Sequence, residues 1–412
     1  MIVSPARRNT LFALAITATL LNLVDRQIIS VLKPEIAHDM GWSDNDYGSL
    51  AAWFQGAAAV AFLFTGFAVD RLGVKWANPI GVALWSLAAM SHAFARGFTS
   101  FIMCRVALGA TEAMGTPAAI KTIAVIFPPS MRSFGYGITN TVGSFGAILA
   151  PLLIPTVAML WGWRAAFVIG GALGLVWSAV WIVATRGVAF AGDRRGADDT
   201  LPKTTIFTDK RTWAIAIAKF LSDATWWLML FWMPDFFHRS FALSGVALGA
   251  PLAIAYSCSA IGSLIAGGTA SRLIRAGYSV EKVRKGSLLV AALCATPLPF
   301  ADTVHDYALA VALIGLVMGA HQAFSVNLFA LIADVSRPEK IGRVTSFGAF
   351  SGNIGGMVIA KVAGLTLAAG LGYLPLFLFA GSSYLLALGA IQLLLPRLPL
   401  DGMAVREPVA AH

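Results

Sequence analysis

The chain has 412 residues, of which 58% are hydrophobic and only 12% charged, and carries a net charge of +10. A mean hydropathy of +0.76 exceeds what a soluble domain can bury around one core, so the composition excludes an ordinary soluble fold and marks an integral membrane protein. A transmembrane barrel is excluded too: strands of about 10 alternating residues are absent, while apolar runs of about 20 residues, each long enough to cross the bilayer as a helix, recur along the chain.

Cutting at polar or Gly/Pro-rich breaks predicts twelve spans: 10–34, 46–69, 76–95, 99–127, 133–160, 164–185, 213–237, 246–271, 286–301, 306–333, 342–368 and 373–395. The first has the basic flank and apolar stretch of a signal peptide. No small-residue cleavage site precedes Asp25, however, and the run continues to Val31, which predicts an uncleaved first helix. Its stretch LNLVDRQIIS sets Asp25 and Arg26 in an apolar run, where each charge needs a partner or a wet cavity.

Between the second and third spans, GFAVDRLGVK carries Gly66, Asp70, Arg71, Gly73 and Lys75. The glycines suit a tight turn and close helix approach, Asp70 suits a cap, and the basic residues suit the cytoplasmic surface. In the fourth span Arg105 and Glu112 are seven residues apart, hence on one helix face about 10 Å apart along the axis, with Lys121 further on. Two readings are open for Asp25, Arg26, Arg105 and Glu112. They lock the first and fourth helices by buried ion pairs, or they line a cavity in which the acids carry protons and the arginines hold an anion.

A polar stretch separates the sixth span from the seventh. It divides the chain into an N-terminal six-helix bundle (1–186), a cytoplasmic linker (187–212), a C-terminal six-helix bundle (213–398) and a cytoplasmic tail (399–412). Residues 267–285 are a degenerate counterpart of the 66–75 loop, with Ser271 where the acid would stand. In the seventh span Lys219 and Asp223, four apart, either pair with each other or act in function, while Trp226, Trp227, Phe231 and Trp232 give it an aromatic side. His321, Gln322 and Asn327 in the tenth span and Ser351 and Asn353 in the eleventh offer hydrogen bonds to a ligand or between helices. Lys361 has no assigned role.

With both termini cytoplasmic, only Lys33, Arg96, Arg164 and Arg239 of the 30 Lys and Arg residues fall on the far side. The positive-inside rule therefore fixes the orientation and accounts for the basic charge without nucleic acid. Cys104, Cys258 and Cys294 lie in apolar runs without metal-ligand spacing, and there is no HExxH or Gly-x-Ser-x-Gly run. Neither a metal, another cofactor nor an enzyme activity is expected.

The spacing of GFAVDRLGVK, its position and the twelve spans together resemble the major facilitator superfamily. That resemblance implies an all-α membrane fold of two six-helix bundles with a substrate site near the bilayer midplane. The runs GATEAMGTPAAIKTIAVIFPPSMR, GYGITNTVGSFGAILAPLL, WWLMLFWMPDFF and AHQAFSVNLFALIADV are similar to its anion:cation symporter branch, in particular to bacterial hexuronate and aldonate transporters. The branch implies import of a small organic anion by proton symport across the bacterial inner membrane, with no cofactor. Its partners would be the anion, protons and lipid, and its working state a monomer. On this resemblance Asp25 and Glu112 serve proton coupling, Arg26 and Arg105 hold the anion, and Trp226, Gln322, Asn327 and Asn353 complete the substrate site. Gly66, Asp70, Arg71, Gly73 and Lys75 form the gating motif. Leu23 and Ala58 stand where the branch commonly has tyrosines, so an aromatic or less hydroxylated carboxylate is the alternative substrate, and exchange or uniport the alternative mode.

Overall fold

The computed structural model describes residues 5–127, 129–188, 190, 207–336 and 338–398, and no strand occurs among them. Helix α1 (Pro5–Val31) leads into the short α2 (Lys33–Met40), which stops at Gly41 in the left-handed region. Ser43 then opens α3 (Asp44–Ser91): its Oγ accepts the Asp46 N–H, and the Asp46 carboxylate accepts the Ser43 N–H. This reciprocal cap satisfies two donors that a helix start leaves without intrahelical acceptors. The second and third spans are two arms of α3, separated at Gly73 with φ 72° and ψ 161°, a conformation open at low cost only to glycine.

The fourth span is also divided, into α4 (Phe98–Glu112) and α5 (Gly115–Ile126). The break has a local cause in Pro117. Lacking an N–H, it gives nothing to the Ala113 carbonyl four residues back, and its ring crowds that carbonyl. The interruption thus falls directly after Glu112. Next come α6 (Pro129–Trp161), α7 (Trp163–Ala184), α8 (Lys210–Phe241), α9 (Gly249–Arg275), α10 (Val280–Ala295), α11 (Tyr307–Val335), α12 (Pro338–Ala368) and α13 (Leu374–Leu394).

Eight crossings are long and apolar enough to span a membrane as single uninterrupted segments. The other four are the second arm of α3, the broken α4–α5 pair, α6, whose apolar part is Phe145–Trp161, and the 16-residue α10, extended by a 3-10 turn over Leu298–Asp302. The fold is therefore all-α with twelve transmembrane crossings. Large apolar side chains such as Phe64, Phe67, Met159 and Leu264 are exposed on it, as expected of surfaces that face lipid tails no less apolar than themselves.

Contacts group the chain into two compact units. The first comprises Met1–Asp199, Met229–Ile254 and Ala360–Ala369; the second comprises Thr200–Leu228, Ala255–Ile359 and Gly370–His412. In the first unit α3 packs along α4 and α7, and α1 along α5, α6 and α7. The α3–α4 contact is backbone to backbone, since a Cβ on Gly109 would stand 2.3 Å from the Phe54 carbonyl oxygen. In the second unit α10 packs on α11 and α13.

Candidate functional site

The polar residues of α1 and α4 converge inside the first unit. Arg26 places both Nε and Nη2 at 2.9 Å from Glu112 Oε2, and its Nη2 also donates to Asn22 Oδ1 at 3.3 Å. The ion pair of this site joins Arg26 to Glu112, not to its sequence neighbour Asp25. Adjacent residues on a helix point about 100° apart, so the two charges of the first span face different helices. Asp25 turns toward α7, where a Cβ on Gly170 would lie 2.5 Å from its Oδ1. Neither oxygen of the Asp25 carboxyl has a hydrogen-bond partner among the described residues.

Arg105 is fully buried, and none of its guanidinium nitrogens finds an acceptor among the described residues. Its Cζ sits 4.2 Å from the centroid of the Phe54 ring, which Arg26 also approaches, at 5.5 Å. Glu112 Oε1, Asn22 Nδ2 and both amide atoms of the fully buried Gln55 likewise have no partner among the described residues. Buried polar groups are nearly always hydrogen-bonded, and a guanidinium left without an acceptor is costly. A planar cation in a dry setting, about two turns from the interruption of its helix and in one site with a half-satisfied carboxylate, can receive an anion through two parallel N–H bonds.

A second polar cluster in the same unit was not foreseen from the sequence. Lys33 Nζ lies 2.8 Å from Asp44 and 2.6 Å from Asp235, with the Trp232 ring centroid at 4.4 Å. Arg239 pairs with Asp235 at 2.7 Å and also with Asp44. The Tyr47 hydroxyl donates to the Phe231 carbonyl at 2.8 Å, and Lys361 donates to Asn45 at 2.5 Å and Ser49 at 2.7 Å. A cavity of about 420 Å³ opens beside these groups, lined by Lys33, Trp42, Asp44, Asp235, His238 and Arg239 among others. The only sequence signal was that Lys33 and Arg239 stand at span ends on the far side.

In the second unit Lys219 and Asp223 pair at 2.7 Å, with Lys219 Nζ 4.7 Å from the Phe329 ring centroid. Half-buried Trp226 stacks on His321 at 4.9 Å between centroids, and His321 Nδ1 is hydrogen-bonded to the Tyr384 hydroxyl at 3.0 Å. Asn327 donates to the Ala323 carbonyl and accepts from Arg284 at 3.5 Å, while Asn353 donates to the Ala349 carbonyl of its own helix. Gln322 is half-buried on α11.

Among the loop-motif residues, Gly73 makes the break in α3, Arg71 is exposed, and the half-buried Lys75 offers its carbonyl to the Trp181 indole at 3.3 Å. Lys121 donates to the Val69 carbonyl at 3.2 Å, next to the motif. A Cβ on Gly66 would meet nothing within 4 Å, so close helix approach is not what that position requires. The side chain of Asp70 lies outside the described residues. No cluster of three or more metal-ligating His, Cys, Asp or Glu side chains occurs among the described residues.

Residues 15–360 match the model of the Major Facilitator Superfamily. The chain is 26% identical over 391 residues to a hexuronate transporter of Escherichia coli (strain K12), covering 89% of each protein. It is 24% identical over 421 residues to a D-galactonate transporter of Escherichia coli O6:H1, covering 94% of this chain and 97% of that protein. In structure it is similar to a bacterial homolog of the human lysosomal transporter Spinster in an inward-facing and occupied conformation. The TM-score is 0.76 over 98% of both chains, at 18% identity, a likeness of fold alone.

Proposed function

Because this chain belongs to the Major Facilitator Superfamily, we propose that it is a secondary active transporter that imports a small hydroxylated organic anion, a hexuronate or aldonate, by proton symport with alternating access. The observation that carries this reading is the fully buried Arg105 guanidinium, which has no acceptor among the described residues. A substrate carboxylate supplies the acceptors it lacks. The printed names of the relatives, transporters of hexuronate and of galactonate, support the substrate class.

The Arg26–Glu112 pair suggests how proton and anion are linked. While Glu112 is charged it holds Arg26 by two nitrogens on one oxygen. Protonation weakens that hold and leaves Arg26 beside Arg105, so that two cations then face the incoming carboxylate. Asp25 is the second acid in reach. The contacts of Lys33 with Asp235, and of Lys361 with Asn45 and Ser49, are bonds that an opening of the outer side must break. Two six-helix bundles, 1–186 and 213–398, with both termini cytoplasmic in a bacterial inner membrane and a monomer as the working state, complete the reading.

Proteoliposomes test it. Wild-type protein should accumulate glucuronate or galactonate when the outside is acid, and should also exchange it in counterflow. Glu112→Gln, fixed in the neutral state, should keep counterflow and lose pH-driven accumulation to background. Full accumulation by Glu112→Gln would remove this residue from proton coupling, and absence of pH-driven uptake in the wild type would leave exchange or uniport. The aromatic-carboxylate reading is favoured by one observation, the Trp226–His321 stack. It predicts tighter binding of an aromatic acid than of glucuronate.

A further inference from the structure

Two side-chain amides of the first unit, one bonded to Arg26 and one buried at the level of the arginine site, have no role so far. Asn22 accepts from Arg26 through Oδ1, while its Nδ2 has no partner among the described residues. The position of a Cβ on Gly115 is 3.5 Å from that nitrogen, which places it at the break between α4 and α5, just past Glu112. Gln55 is fully buried on the first arm of α3, and neither its Nε2 nor its Oε1 has a partner among the described residues.

The depth of Gln55 follows from the helix crossing. Its neighbour Phe54 has its carbonyl against Gly109, four residues after Arg105 and three before Glu112. As alternate crossings of the chain, the first arm of α3 and α4 run through the membrane in the same sense. Gln55 therefore stands at a level between the buried cation and the buried acid, within about two helical turns of each along the axis. Phe54 itself packs under both guanidinium groups. An amide that merely joined helices would show a partner, and among the described residues neither the Nε2 nor the Oε1 of Gln55 has one.

We propose that Asn22 and Gln55 form a hydroxyl-reading subsite beside the Arg105 and Arg26 anion cradle, selecting a carboxylate that carries hydroxyl groups over an equally charged acid without them. This deepens the transport reading and rests on it. The chemistry is complementary. Asn22 Nδ2 donates to a hydroxyl oxygen, Gln55 Nε2 donates to another, and Gln55 Oε1 accepts a hydroxyl proton, so one polyol chain satisfies all three groups. A site built to bond hydroxyls rejects the analogue lacking them, because its own polar atoms are then left unpaired. The amides also supply hydrogen bonds that Leu23 and Ala58 cannot.

Titration calorimetry on the purified full-length protein, with gluconate and hexanoate as probes of equal charge and carbon number, tests the proposal. Wild type should bind gluconate more tightly than hexanoate. Gln55→Met and Asn22→Leu should each weaken gluconate about tenfold, leave hexanoate unchanged, and keep or raise the melting temperature, since each removes a buried polar atom without a partner. Unchanged gluconate affinity, an equal loss for both acids, a lowered melting temperature, or a wild-type preference for hexanoate would each overturn the subsite alone. A wild type that bound neither acid would overturn the anion-transport reading and the subsite with it.

Discussion

In the first unit the Arg105 guanidinium, both oxygens of Asp25 and the Gln55 amide face no described protein partner, whereas in the second Lys219 meets Asp223 at 2.7 Å, Arg284 meets Asp334 at 2.8 Å and His321 is bonded to Tyr384 at 3.0 Å. Among the described residues of the second unit, the buried side-chain atoms without a partner are only the hydroxyls of Thr212 and Ser336. Paired buried charges hold helices together and are replaceable by apolar packing. Unpaired ones lower stability, and are better explained by something other than folding. On the proposed reading, this contrast corresponds to ligand chemistry in the first unit and mainly scaffold chemistry among the polar residues of the second.

The largest expected effect tests the first half of that contrast. Arg105→Lys keeps the charge but loses the planar fork, so substrate affinity measured by calorimetry should fall on the order of ten- to a hundredfold. Unchanged affinity would move the carboxylate site away from Arg105.

The next tests the second half. Arg284→Met strands Asp334, whose side chain is 10% exposed beside the arginine's 15%, and should cost about 2 kcal/mol after discounting for that exposure. The double replacement Arg284→Met/Asp334→Leu should return the melting temperature to near the wild-type value. Substrate affinity should stay the same in both. A large affinity loss in the single variant would break the division between the units.

A matched pair of glycines gives a smaller, sharper test. In the first unit a Cβ on Gly170 would come 2.5 Å from Asp25 Oδ1, and in the second a Cβ on Gly352 would come 2.2 Å from Asp223 Oδ2. Gly170→Ala should lower pH-driven uptake severalfold with counterflow largely kept, because it displaces a carboxyl proposed to titrate. Gly352→Ala should lower the melting temperature with coupling retained. The reverse pattern in the two assays would exchange the roles assigned to Asp25 and Asp223.

The smallest effect belongs to a satisfied carboxylate at the edge of the first unit. Asp39 accepts from the Trp163 indole at 3.0 Å and from Arg164 at 2.9 Å, and these two donors, the indole foremost, hold its pKa below the ordinary aspartate value. With a depressed folded-state pKa, its stabilising contribution is present above the unfolded value near about pH 4 and is lost as the pH falls through the folded value. The melting temperatures of wild type and Asp39→Asn, compared from about pH 6 to pH 3, should converge at the acid end. Transport should be unaffected.

Much of the fold was legible because its causes are local. Apolar length sets each crossing, Gly73 sets the break in α3, and the capping pair Ser43 and Asp46 sets its start. Of the site, Arg105 and Glu112 were readable as one helix face from their spacing alone. Asn22 and Gln55 were not singled out, although a lone glutamine in an apolar run is a signal of the same kind as Asp25. Met229–Ile254, which runs from the end of α8 into the start of α9, and Ala360–Ala369, at the end of α12, group with the first unit, a detail that span counting along the chain does not contain.

By itself the sequence determined the class of molecule, the twelve crossings and which residue types are buried at a cost, because hydropathy and helical period depend only on neighbours along the chain. The tertiary structure alone decided who meets whom. Arg26 pairs with Glu112 rather than with adjacent Asp25, Lys33 with Asp235 across 202 positions, and Arg105 with no described residue. The physical reason is that periodicity fixes the face on which a side chain stands but not the helix that packs against that face. A charge acquires its partner, and with it the difference between scaffold and binding site, only when the helices close on one another.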